Sequence, residues 1–105
     1  MTREELLTLL WTIFIIEGDT KASVPFGWIK RKPEWKARKI SFTKIMREVA
    51  KEIRLEWERW QKAKTKGDKR DFLQWLAQVG YNANPQEWRI WLKNAREVKR
   101  MIERL

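Results

Sequence analysis

Glu17 is a lone carboxylate at the end of the run Leu6–Ile16 (LLTLLWTIFII), in which nine residues are apolar and only Thr8 and Thr12 intervene. A helix apolar around most of its circumference belongs in a core. A carboxyl at its end is partly desolvated, which raises its pKa and suits it to giving up a proton near neutral pH. Glycosidases make their general acids this way. A charged residue at a helix end also commonly exits into solvent, and periodicity alone favours that plainer reading. Asp19, two residues on, is the nearest second carboxylate, either facing the same site or capping the loop backbone.

The residue types that are missing narrow the chemistry. The chain has no His and no Cys, which removes Ser-His and Cys-His nucleophile pairs, His- or thiolate-based metal sites and disulfides. Catalysis then rests on carboxylates, Lys, Tyr or hydroxyls. No metal and no cofactor is expected. With 24 Lys+Arg against 14 Asp+Glu, the net charge of +10 favours polyanions: nucleic acid, anionic lipid or an acidic cell-wall polymer. The segment Lys30-Arg31-Lys32 with Lys36, Arg38 and Lys39 is dense enough to contact one. High charge without Cys is compatible with a thermophilic source.

The elements that would position Glu17 read as helices. Thr2 and Glu5 form a capping box, placing a first helix at about 3 to 17, with Gly18 as its stop. Residues 18–34 hold two Gly and two Pro without a helical period and read as a loop or short hairpin. From about 35 to 64, Ile45, Val49, Ile53, Trp57 and Trp60 recur at spacings of four and three, one buried stripe, with a bend near residues 41–43. Lys66-Gly67-Asp68 breaks this helix. Asp68 is then expected to cap a third, at about 69–79, with Phe72, Leu73, Trp75, Leu76 and Val79 inward and Gly80 at its close. Asn84-Pro85-Gln86-Glu87 starts the last helix, whose Trp88, Trp91, Ala95, Val98, Ile102 and Leu105 keep three/four spacing. Trp57, Trp60, Trp88 and Trp91 read as core. The expectation is one compact all-α domain over 1–105 with a buried first helix.

Three segments in order add to this: Ile16-Glu17-Gly18, then Phe26-Gly27-Trp28-Ile29, then Gly80-Tyr81-Asn82-Ala83-Asn84-Pro85. The set resembles the lysozyme-like superfamily, in particular goose-type lysozymes and lytic transglycosylases, where a helix ends in a catalytic Glu and G-L-M-Q and A-Y-N-A-G segments follow. It looks closer still to small phage- or prophage-type members that pair A-E-G with P-Y-G-I and end in an Arg/Lys-rich, Trp-containing half. Their counterparts here are Glu17-Gly18, Pro25-Phe26-Gly27-Trp28 and the stretch from Lys36 to Asn94.

The resemblance implies a lysozyme-like fold and a peptidoglycan-cleaving muramidase, most simply a lytic transglycosylase cutting the MurNAc-GlcNAc β-1,4 bond. Glu17 would act as acid and then base while the sugar's own C6 hydroxyl attacks, giving a 1,6-anhydro product. Gly27 matches the glycine that admits the sugar to the backbone. Tyr81 and Asn82 match the tyrosine and asparagine beside the catalytic Glu. Each has a plain alternative: Tyr81 packing between helices, Asn82 forming a turn, and Trp28 in the core instead of stacked on a sugar. The departures are Gly18 for the usual Ser, Lys30 for the Gln of G-L-M-Q, Asn84 for the last Gly of A-Y-N-A-G, and a shorter Glu-to-Gly27 spacing. They leave substrate contacts open, along with a descendant that binds glycan without cutting it. Plain hydrolysis would need a second carboxylate or a positioned water.

The partner implied is a peptidoglycan glycan strand, met by a monomer. The competing reading is a basic helical nucleic-acid-binding protein of phage or plasmid type, supported by charge but by no recognition-helix pattern. Residues 6–16 are too short to span a bilayer and lack the flanks of a signal peptide. A cytoplasmic product reaching the wall by lysis or phage-type delivery is therefore expected.

Overall fold

A computed structural model describes residues 1–17, 41–81 and 85–105. They form an all-α arrangement with no strand among the described residues. The first helix, α1 (Arg3–Ile16), starts as the sequence requires. Thr2 Oγ1 accepts from the Glu5 amide at 3.1 Å, and the Glu5 carboxylate accepts from the Thr2 amide at 3.2 Å. This reciprocal box satisfies two of the amides that a helix start leaves unpaired. The two threonines inside the apolar run satisfy themselves: Thr8 Oγ1 donates to the Glu4 carbonyl and the buried Thr12 Oγ1 to the Thr8 carbonyl.

α1 is less enclosed than its composition predicts. Leu6, Leu9, Leu10, Thr12 and Ile13 are buried, but Leu7, Trp11 and Ile15 are exposed. Successive residues turn by about 100°, so an apolar run longer than two turns shows some side chains on every face whatever lies beside it.

The second helix, α2 (Phe42–Thr65), is capped by Ser41, whose Oγ accepts from the Lys44 amide at 3.2 Å. The irregularity expected at 41–43 is this helix start; residues 35–40 lie outside the described residues. Its buried stripe is Ile45, Val49, Ile53, Glu56 and Trp60, with Trp57 partly covered against it. At its end the amide of Gly67 (φ 101°) donates to the Lys64 carbonyl and that of Asp68 to the Ala63 carbonyl. These two bonds make a Schellman stop, whose left-handed position suits glycine.

The third helix starts about three residues later than the periodicity suggests and changes type along its length. α3 covers Phe72–Trp75 and passes directly into a π-helical segment, Leu76–Tyr81. Its N-cap is Asp71, which accepts from the Gln74 amide at 2.9 Å. Asp68 does not cap it. Arg70 claims that carboxylate instead, donating from its backbone amide at 2.9 Å and its guanidinium at 2.6 Å. Widening to π geometry shifts the inward face, so Ala77 is fully buried and Val79 is exposed.

The last helix, α4 (Pro85–Glu103), begins at proline as expected. It packs against α1 more extensively than any other pair of elements. Among its described side chains Leu92 and Ala95 are buried, and Leu105 lies beyond its end in full solvent. Trp57, Trp60 and Phe72 close the core between α2 and α3, with ring centroids 4.8 to 5.5 Å apart. Trp60 Nε1 is satisfied by the Arg70 carbonyl at 2.8 Å.

Candidate functional site around Glu17

The α1–α4 packing brings the end of the apolar helix to the tryptophan-rich face of the last one. Glu17 is the C-cap of α1, its amide donating to the Ile13 carbonyl at 3.0 Å. Its side chain is half-buried, and Oε1 accepts from Trp91 Nε1 at 2.8 Å, across 74 residues of chain. Burial pushes the carboxyl above its ordinary value, and the indole hydrogen bond only partly opposes that. A helix C-terminus is also the negative end of the macrodipole, where an anion is disfavoured. Among the described residues, Oε2 has no hydrogen-bond partner and no cation lies within ion-pair distance of the carboxylate. The described surroundings thus raise the carboxyl above its ordinary value while Trp91 fixes one of its oxygens.

Asp19, Gly27, Trp28 and Asn82 lie outside the described residues. So does the basic segment Lys30–Lys39. Tyr81 is described in its backbone alone, where it ends the π-helical segment. In chain order that segment is followed, after residues 82–84, by α4, the helix that carries Trp91. A π-helical turn inside an otherwise α-helical stretch commonly marks a functional position.

Two residues of chemical interest escaped the sequence reading. The helical stripe assigns Trp91 to the core, whereas it is partly buried and holds the Glu17 carboxyl. The available signal was chemical, because a buried indole N–H needs an acceptor. Glu56 is the other. It lies three residues after Ile53 and four before Trp60, on the apolar stripe itself, and is fully buried. Its Oε2 accepts from Trp75 Nε1 at 3.0 Å and its Oε1 pairs with Arg59. The Arg70 guanidinium lies 4.7 Å above the Trp75 ring and reaches Gln78 in the π-helical segment at 3.3 Å. Glu56, Trp75, Arg70 and Asp68 thus form a connected polar brace for the turn that precedes Tyr81.

A cavity of about 640 Å³ lies away from Glu17. Glu4, Glu5, Trp57 and Asp71 are among its lining residues, at the opposite end of α1, about 20 Å away at 1.5 Å per residue. The described residues hold no group of three or more metal-ligating side chains. None of their helices is long and apolar enough to cross a membrane.

Compared with family models, with curated proteins and with solved structures, the chain matches none.

Proposed function

We propose that this chain is a peptidoglycan-cleaving glycosidase of the lysozyme-like type, acting as a lytic transglycosylase with Glu17 as its acid and then its base. One observation carries the reading: a half-buried carboxyl at the end of an apolar helix, pushed toward its protonated form and held through one oxygen by Trp91. The motif order Glu17, Gly27, Tyr81-Asn82 supports it from the sequence.

In the reaction proposed, the Glu17 proton passes to the oxygen linking muramic acid to the next sugar as that C–O bond breaks. The sugar cation is then closed by its own C6 hydroxyl, whose proton returns to the Glu17 carboxylate. Atoms and protons balance with one carboxylate, without water, histidine or metal. Trp91 has a positioning role: its N–H fixes the carboxyl rotamer and tempers the rise in pKa, so the acid can still release its proton.

Purified peptidoglycan incubated with the protein tests this. Wild type is expected to release muropeptides ending in 1,6-anhydro sugars, resolved by mass. Glu17→Gln should fold normally and release none. Products with reducing ends would replace transglycosylation by hydrolysis and direct attention to Asp19. Absence of any release by folded wild type would remove the enzyme reading.

A further inference from the structure

The outer face of α4 carries Arg89, Lys93, Arg96 and Arg100, at spacings of four, three and four. This spacing keeps all four on one side of the helix, rising about 4.5 to 6 Å from one to the next and about 16 Å in all. Together with Trp88 and Leu92 they line a shallow hollow of about 310 Å³. Arg96 is paired with Asp71 at 2.8 Å. Arg89, Lys93 and Arg100 have no carboxylate within ion-pair distance among the described residues, although Glu97 lies on the rim. Arg89–Lys93 and Arg96–Arg100 are also like-charge pairs at i,i+4, a placement that weakens an isolated helix. A row of cations kept together against their own repulsion is complementary to a row of external anions.

The shape of the row selects among polyanions. A duplex presents phosphates on both sides of a groove, whereas this is one file on one helix. Single-stranded nucleic acid is held by aromatic platforms as well as charge. The aromatic ring of this hollow, Trp88, already has the Arg89 guanidinium 5.3 Å above it. A polymer with phosphodiesters on a short polyol spacer needs no stacking surface. Extended, its phosphates recur roughly every 7 Å, six single bonds apart. That interval is within reach of long, flexible Arg and Lys side chains.

We infer that the outer face of α4 is a binding track for a linear polyol-phosphate polymer of the cell-wall type. The track stands on the stripe itself and agrees with the peptidoglycan reading, since such a polymer would hold the protein beside its glycan.

The probe is poly(glycerol phosphate), titrated against the full chain by tryptophan fluorescence over a salt series. The triple variant Arg89→Ala/Lys93→Ala/Arg100→Ala is compared with Lys44→Ala/Arg54→Ala/Lys62→Ala, which removes the same charge from exposed positions of α2. At about 0.7 per contact, the stripe variant should lose about 2 from the slope of log K against log salt. Between 50 and 200 mM salt, that makes its affinity fall roughly 18-fold less than wild type's. The α2 variant should keep the wild-type slope. Lys93→Glu alone supplies a second test should the triple variant fail to fold. Equal losses in both triple variants, no salt-dependent binding, or tighter binding of an oligothymidylate at equal phosphate number would each overturn the track. Glu17→Gln should bind the polymer like wild type while failing to digest peptidoglycan, so the two readings fail separately.

Discussion

Replacing Trp91 by Phe tests the reasoning about Glu17 most directly, because it deletes the indole N–H and keeps an aromatic ring in the packing. A hydrogen bond to a charged acceptor contributes ~1.5–3 kcal/mol and one to a neutral acceptor ~0.5–1.5 kcal/mol. Glu17 is half-buried, so solvent screening selects the low end, and the bond is worth about 1 kcal/mol more to the anion than to the acid. The Glu17 value is raised on folding, mainly by burial. Its contribution to stability is therefore fully present below the unfolded-state value and is lost as pH rises through the folded-state value. Trp91→Phe should steepen that loss, since the anion loses its donor. In melting curves by circular dichroism, Trp91→Phe should cost about 4–8 °C more at pH 8 than at pH 4. The packing change is the same at both pH values and cancels. Equal destabilisation at the two pH values, or a larger one in acid, would refute the assignment of the indole to the carboxylate.

Three further outcomes follow from the core and its braces. Ile13 is fully buried in the core cluster, so Ile13→Ala should lower stability in urea titrations by about 2–5 kcal/mol without changing the helical spectrum. Trp60→Phe leaves the Arg70 carbonyl without its indole donor and should cost about 1–3 kcal/mol in the same measurement. Asp68, held down to about 2 by Arg70, contributes stability that is present above its unfolded value and lost as pH falls through about 2. Asp68→Asn should therefore differ from wild type by a constant amount above about pH 4, with the difference closing in stronger acid; a difference that grows in acid would contradict the pairing.

Much of the helical frame was legible because it depends on local chemistry. The Thr2–Glu5 box, the Gly67 stop and Pro85 at the start of α4 each appear where their residue types required. The α2 stripe appears too, because a run of apolar residues at three/four spacing has one way to be covered. The third helix departs from its sequence pattern in its cap, its start and its change to π geometry. Asp68 and Asp71 are chemically equivalent caps, and the choice between them was made by Arg70, which binds the former. The π-helical widening, in which Leu76 and Ala77 are fully buried, likewise has no composition signature.

The sequence by itself determined the helical class, the helix ends that side chains enforce, and the restriction of any catalysis to carboxylates, Lys, Tyr and hydroxyls. Glu17 as the end of an apolar helix also follows from local order. The tertiary structure decided what surrounds that carboxyl. Helical periodicity reports which face of a segment is covered, and says nothing of which distant atom covers it. Trp91 and Glu17 meet across 74 residues only because α4 lies along α1. The same packing turned a stripe residue into the donor that holds the acid, and left Arg89, Lys93 and Arg100 facing outward on the other side of that helix.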